Sequence, residues 1–400
     1  MDFTRTYTPE QETFRQEVRS WIQDNIPLDM KAPIDREDLS ADQVSWWRNK
    51  HKELAAKGWL YPTYPKEYGG GGLTGDEETI IEEEFTDGRV VRGFTNGLVF
   101  PTLLVWGTAE QKERYLRPLL TAEKVAFQNF SEPGHGSDLA SLESRADRDG
   151  DDWLINGRKT WISGIGKADL LFGPMVTDQD APRHRNLGYF MLPADADGVD
   201  MKRLSLLNGD RQHSIFMDNV RVDNEALIGG DHQGWQVTQT TLEQEHGGRG
   251  QAAPRDEALD DILQYAREKK TDDVDAQTAA AAVIDSRINA LFQERNFWMY
   301  ETRQDMSHHG SQSSMYRKEK NVRNADRARD LMGMYSLLDG ADDIARNGGM
   351  AEANQRGSLV GTHPGGTIEI QKIIIARRIG ISRTQERAAP TPATATNYSG

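Results

Sequence analysis

The apolar residues of this chain change their spacing twice, and that double change decides what it can fold into. Up to about residue 124 they recur at helical intervals. Thr8-Pro9-Glu10 is a helix-start signal, and Phe14, Val18 and Trp21 follow on one face. The run YGGGGLTG from Tyr68 interrupts this pattern before an acidic helix carrying Ile80, Ile81 and Phe85. The charges of AEQKERYLRPLL, from Ala109, predict a further helix with a solvated face. From about Val125 the period falls to two. Trp153 and Ile155 alternate with polar neighbours, Asn156-Gly157 has the composition of a two-residue hairpin turn, and short strands fit ADLLFGPMV, NLGYFML and SIFMDNVRV. Near Gly234-Trp235 helical spacing returns. Ile284, Ile288, Leu291 and Trp298 share one face of a long helix, KNVRNADRARDLMGMYSLL fits another, and the last runs through IEIQKIIIARRIG. No strand–helix–strand alternation occurs, which argues against a Rossmann-type sheet. The expected fold is α+β: an N-terminal helical domain (1–124), a middle β-barrel or sandwich domain (125–229), a C-terminal four-helix bundle (230–384) and a disordered tail (385–400).

Composition removes whole classes of function. With no cysteine in 400 residues, disulfides, thiolate zinc sites, iron–sulfur clusters and cysteine nucleophiles are excluded together. The nine histidines show no metal-binding spacing, so no metal is expected. A formal charge of -15 argues against nucleic acid or an anionic membrane as partner. The N-terminus lacks the apolar core of a signal peptide and no apolar run reaches membrane-spanning length, so the expected location is cytoplasmic.

Two segments of the alternating region carry chemistry. QNFSEPGHGS, from Gln128, combines small hydroxyl residues, a proline and two close glycines, as a loop pressing its backbone against a bulky anionic ligand requires. DGDDWLINGRKTWISG, from Asp149, follows with two tryptophans suited to a flat ring system. Read alone, Trp161 is an ordinary buried strand tryptophan. Beside the upstream loop it reads as a cofactor platform.

Ser131 to Asp138 match the TEPGxGSD signature, INGRKTWISG matches INGxKxWIT/S, and Gly365 to Ala376 match GGTSEIQRxIIA. In this order, over essentially Phe3 to Ser382, the chain resembles acyl-CoA dehydrogenases. The resemblance implies FAD. Gln128, Phe130 and Ser131 are the expected contacts for the flavin, the last two at its pyrimidine edge. Gly136 and Ser137 should approach the pyrophosphate and, through Ser137, the thioester arm of the substrate. Trp161 should cover a flavin face, Ser163 should bond near its reactive nitrogen, and Thr367 and Glu369 should meet its phosphates and ribose region.

The family's reaction passes an α-proton to a carboxylate while the β-hydrogen leaves as hydride. That carboxylate must be desolvated, and the thioester oxygen hydrogen-bonded, for the proton to come off. The usual base is the Glu of YEGT, but Gly365 stands at that place; its N–H can still serve the thioester oxygen, and it is equally a turn glycine. A minority of the family places the base in an LxxER-like segment, which Thr241-Leu242-Glu243-Gln244-Glu245-His246 resembles. Glu245 is the expected base, against the alternative of a solvated helix acid. Glu243, about 200° away around the helix, cannot share its direction. His246 replaces the family's arginine and is placed with the substrate contacts.

Many homotetrameric members carry an RxxFG segment that reaches a neighbouring subunit's flavin site. Here the equivalent residues are Arg267-Glu268-Lys269-Lys270-Thr271-Asp272-Asp273, which read as a charged surface turn. The expected partners are an acyl-CoA and an electron-transfer flavoprotein, in a homotetramer or homodimer, or in a heteromer with a homologous subunit. Two other readings stand beside dehydrogenation: a supporting, non-catalytic subunit, and an oxidase or flavin monooxygenase of the same fold.

Overall fold

The structure is a computed structural model that describes residues 6–33, 39–247, 249–269 and 272–382. It divides into two bodies. Pro9–Ala32 with residues 39–245 make up the first, and residues 246–382 carry the second. The expected disordered tail lies outside the described residues.

The first body opens with helices α1 (Pro9–Asn25), α2 (Ala41–Ala56), α3 (Gly75–Asp87), α4 (Val99–Trp106), α5 (Ala109–Gln111) and α6 (Arg117–Leu120), the last two joined by a π-turn. Three starts are written in the sequence as hydroxyl-x-x-Gln/Glu. Ser40 with Gln43, Thr74 with Glu77 and Thr108 with Gln111 each close a reciprocal capping box. The buried Glu84 ties α3 to α1, accepting from Arg15 at 3.0 Å and Arg19 at 2.8 Å.

An eight-stranded, mostly antiparallel sheet follows: β1 (Ala126–Gln128), β2 (Arg145–Asp149), β3 (Asp152–Ser163), β4 (Leu170–Val176), β5 (Leu187–Pro193), β6 (Val199–Leu206), β7 (Gly209–Val222) and β8 (Leu227–Ile228), in the order β6-β7-β3-β2-β4-β5-β8 with β1 parallel to β4. Both faces of its centre are covered. Leu171, Phe190 and Leu192 pack with Trp47, Leu54 and Phe85 of the early helices, while Leu170, Phe172, Tyr189 and Met191 pack with Phe100, Leu103 and Leu116. That double burial is why β4 and β5 read as unbroken apolar runs. Helix α7 (Gly234–Gly247) completes the first body. The second holds α8 (Glu257–Lys269), α9 (Asp273–Glu301), α10 (His309–Met332), α11 (Met350–Val360) and α12 (Ile368–Arg378), with α10 packed against the other four. The architecture is therefore helices, sheet, helices, as the spacing predicts. No described helix is long and apolar enough to cross a membrane.

Two expectations need revision. Asn156-Gly157 is not a hairpin turn: β3 runs straight through it, and the turn lies at Gly150-Asp151, where Asp149 pairs with Asp152. Asn156-Gly157 instead forms a bulge against β7, with the Asn219 amide donating to Asn156 Oδ1 at 2.8 Å and Gly157 at φ 147°. A bulge asks for the same permissive backbone as a tight turn, so the dipeptide could not distinguish them. Secondly, the apolar stripe on α9 is not the face its own body buries. The interior takes Ala279, Ala282 and Ser286, whereas Ile284 is 61% and Leu291 40% exposed.

A Cβ at residue 157 would lie 2.3 Å from Ser144 Oγ and 2.7 Å from its Cα. Gly157→Ala is expected to cost about 1–3 kcal/mol by overpacking and backbone strain. Chemical denaturation of the two proteins measures this, and equal midpoints would contradict the bulge.

Candidate functional site

The loop after β1 is rich in glycine and proline and cannot hold a shape by side-chain packing alone. A buried ion pair holds it. Lys159 on β3 is fully buried, and its ammonium lies 2.9 Å from the carboxylate of Glu132, which is 4% exposed. Every remaining valence is spent on main chain. Lys159 Nζ donates to the carbonyls of Phe130 and Pro174, each at 3.1 Å, and Glu132 accepts the amides of Glu143 at 2.6 Å and Ser144 at 2.9 Å. Burial would push the Glu132 carboxyl up. The Lys159 charge, the Glu143 amide and hydrogen bonding from Ser144 and Lys159 outweigh that and hold it below the usual carboxylate range. Burial pushes the Lys159 ammonium down, opposed by Glu132. Sequence reading passes over both residues as motif letters. The available signal was Lys159 at a place of β3 where the alternation of Trp153 and Ile155 continues inward.

Around this pair the expected ligand-binding residues are set in place. Phe130 is buried edge-on against Phe172 and Tyr189, so only its main chain is available to a ligand. The Ser131 carbonyl accepts the Thr160 amide at 2.8 Å, which brings Ser131 beside Trp161. Gln128 is oriented by Asn96, whose side-chain amide donates to its Oε1 at 3.1 Å. Gly136 and Ser137 are exposed, and a Cβ built on Gly134 or Gly136 would meet nothing within 4 Å. The loop's far end is closed by Asp138, which takes hydrogen bonds from Ser141 and Arg183.

Trp161 departs from an ordinary strand tryptophan. It sits in a bulge between Lys159 and Ile162, at φ 60°, with its side chain 54% exposed while Lys159, Thr160 and Ile162 are buried. A bulky residue in the left-handed region is strained by roughly 1–2 kcal/mol, so packing is not what keeps it there. The bulge turns the indole outward, one residue from the Thr160 amide that bonds Ser131 of the glycine-containing loop. Ser163, also exposed, accepts from Gln212 at 3.3 Å.

Helix α7 rests on its threonines. Thr241 bonds to Thr102 at 2.8 Å and Tyr189 at 3.2 Å, and Trp106 donates to Thr240 at 2.9 Å. Glu245 is four residues beyond the buried Thr241 and seven beyond the buried Thr238, hence on the inward stripe, and is half-buried. The side chain of His246 lies outside the described residues.

The second body holds the remaining expected residues together in one turn. Gly365 and Gly366 both have left-handed φ, 65° and 76°. Thr367 caps α12 by accepting the Ile370 amide at 3.3 Å, and Glu369 is exposed in the first turn with its carboxyl held low by its own amide and Thr367. The segment at the RxxFG position is turned to local structure. Glu268 pairs with Arg346 at 2.8 Å, Lys269 lies over the Tyr265 ring, and Asp272 caps α9, while Lys270 and Thr271 lie outside the described residues. No cluster of metal-binding side chains occurs among the described residues.

Three family models match the chain in succession: the acyl-CoA dehydrogenase N-terminal domain over residues 8–123, the middle domain over 128–220 and the C-terminal domain over 232–380. The acyl-CoA dehydrogenase IpdE1 of Mycobacterium tuberculosis is 32% identical over 246 residues, 59% of this chain and 63% of that protein. FadE26, an acyl-CoA dehydrogenase of the same organism, is 32% identical over 275 residues, 66% of this chain and 67% of that one. The alignment with IpdE1 thus spans under two thirds of its length. Among solved structures, the ChsE4–ChsE5 complex from Mycobacterium tuberculosis contains a chain of 26% identity that superposes with a TM-score of 0.80, covering 95% of this chain and 99% of that one.

The buried pair makes a stability prediction. Lys159→Met leaves the Glu132 carboxylate buried and unpaired and is expected to cost about 3–5 kcal/mol, against a smaller loss for Lys159→Met with Glu132→Gln. Because the folded Glu132 carboxyl is held low, its contribution is complete above roughly pH 4.3 and is lost as pH falls through the folded value. Denaturation midpoints against pH test this: Glu132→Gln should flatten that part of the acid limb, and an unchanged limb would refute the assignment.

Proposed function

Because this chain belongs to the acyl-CoA dehydrogenase family, we propose that it oxidises the α,β-bond of an acyl-CoA thioester with FAD and Glu245 as base. The observation that carries the reading is the open glycine loop beside an outward-turned, strained Trp161. An unfilled margin around Gly134 and Gly136 suits close approach of a pyrophosphate, and an exposed indole suits a flat ring. Flavin, when bound, supplies the acceptor for the β-hydride. The protein does the rest. Phe130 and Ser131 present main chain and hydroxyl to the ring edge, Gln128 and Ser163 add side-chain contacts, and Gly136 and Ser137 face the phosphates and the thioester arm. Thr367 and Glu369 are assigned to the phosphate and ribose end, and Gly365 N–H and His246 to the substrate. Glu245 takes the α-proton. Glu245 is half-buried on α7, and a carboxylate must be held from full hydration to be basic enough for this step.

Gly365 explains why the base has to be elsewhere. At φ 65° a glutamate would carry a left-handed penalty of roughly 1–2 kcal/mol. We assign electron transfer onward to an electron-transfer flavoprotein, a cytoplasmic location, and a four-helix bundle formed by the C-terminal helices. The exposed stripe of Ile284 and Leu291 favours an oligomer. Likeness to a chain of the ChsE4–ChsE5 complex makes a heteromer with a homologous subunit the second reading.

The test is anaerobic reduction by a panel of straight-chain, branched and ring-bearing acyl-CoAs. The purified protein should be yellow, and one class should bleach it. Glu245→Gln should slow bleaching by roughly 10²–10⁴-fold, and adding Gly365→Glu to it should not restore the rate. Undiminished reduction of Glu245→Gln would remove Glu245 from its role. Flavin held only in a co-purifying homologous chain would favour the supporting-subunit reading.

A further inference from the structure

Two lysines of α10 are buried: Lys320 is paired with Asp256 at 2.6 Å, whereas Lys318 is turned to main chain. Lys318, on α10, is 5% exposed, and its ammonium reaches three carbonyls of the turn before α12: Thr362 at 3.4 Å, Pro364 at 2.6 Å and Gly366 at 2.5 Å. The carbonyl between the last two, Gly365, accepts instead from the fully buried Gln371 at 2.6 Å. Three consecutive carbonyls are therefore pinned towards α10 and α12.

All peptide bonds here are trans, and in a trans peptide the N–H points opposite to the C=O. Pinning the carbonyl of Pro364 turns the Gly365 N–H away from Lys318. Pinning those of Gly365 and Gly366 does the same for the amides of Gly366 and Thr367. With the three carbonyls held on one side, the three N–H groups face the other side together. Among the described residues none of the three amides donates a hydrogen bond. The turn presents unused donors on one side because a cation holds it from the other.

We infer that Lys318 is a positioning residue for the thioester carbonyl: through Pro364 and Gly366 it aims the Gly365 amide and its neighbours at the oxygen on which enolate charge develops. The inference rests on the acyl-CoA reading above and deepens it. Lys318 acts in two ways. It fixes direction, which a donor needs before the charge appears. It also draws electron density along the Pro364–Gly365 peptide, because a cation on the carbonyl end strengthens the N–H at the other end. A neutral donor of equal reach would supply the first effect and little of the second.

The probe is a 3-thiaacyl-CoA of the best-reduced chain class, used with the flavin-loaded protein. Its α C–H bond breaks, the proton passes to Glu245 and the electron pair spreads onto the thioester oxygen. Sulfur at C3 leaves no β-hydride to transfer, so nothing is oxidised. The enolate beside oxidised flavin gives a long-wavelength charge-transfer band whose pH midpoint reports the acidity of the bound α-carbon. Lys318→Met and Lys318→Gln are compared, the latter keeping donors without charge should the former not fold. Both should move the midpoint up by about one pH unit or more and lower kcat about tenfold with KM within roughly twofold. Lys318→Arg should recover much of both. Hydrogen exchange across residues 361–368, measured without ligand, should quicken in Lys318→Met and Lys318→Gln. Faster exchange with an unmoved midpoint would make Lys318 a structural staple and overturn the inference. A wild-type protein that loads flavin and binds the probe but shows no band at any pH would instead sink the reading on which it rests.

Discussion

The candidate site depends on a charge pair sealed from water. Glu132 and Lys159 are too buried to be held by solvent, so each had to find its partners in the protein, and almost all of those partners are main chain. As a source of net stability such a pair is mediocre, because desolvating two ions consumes most of what their attraction returns. An apolar pair would fold as well. It would not, however, dictate where four peptide groups point, and a loop of glycine, proline and serine has no other means of being told. The pair turns a segment with many accessible conformations into one with a single arrangement, and Ser131, Gly136 and Trp161 acquire fixed positions from it.

Much of this architecture was legible because it is periodic. Helical spacing around Phe14 and Val18 and alternation at Trp153 and Ile155 each state a local geometry that the surroundings did not override. What escaped was whatever depends on a partner distant in sequence. Asn156-Gly157 says that the backbone must take an unusual conformation, but whether it turns or bulges is decided by Asn219 on β7. The stripe of Ile284 and Leu291 announces a buried face without naming what buries it, and within its own body the small residues Ala279 and Ala282 win because they allow closer helix packing. Glu132 and Lys159 were visible as letters but not as a pair, since 27 residues and a hairpin separate the two charges. Lys318 stood in a run of charged residues, KEK, with nothing to show that its ammonium would meet main-chain carbonyls while that of Lys320, buried as well, would meet Asp256.

The residues singled out by motif share a second property: several sit in the left-handed backbone region, which costs free energy for all but glycine. Trp161 at φ 60° and the adjacent Gly365 and Gly366 at 65° and 76° are held there by their surroundings, Trp161 by the bulge and the glycines by Lys318 and Gln371. Strain of this kind persists only where the neighbourhood over-determines it. The two places use different solutions to one problem. At Trp161 the side chain is needed and the strain is accepted; at Gly365 the side chain is dispensed with and the strain avoided.

That difference bears on how base and oxyanion donor are divided under the proposed reaction. Where a glutamate follows the turn, one residue must give both a carboxylate and an amide, so a change that improves one disturbs the other. With glycine at 365 the turn takes its left-handed path at no steric cost, and the carboxylate proposed as base is Glu245 of α7 instead. The two functions then respond to different neighbours: desolvation governs the strength of the base, and a buried ammonium governs the strength of the donor. A cation close to the base itself would stabilise its carboxylate and weaken it. Spent on carbonyl oxygens, the Lys318 charge reaches the substrate of the proposed reaction through the peptide, as a stronger donor.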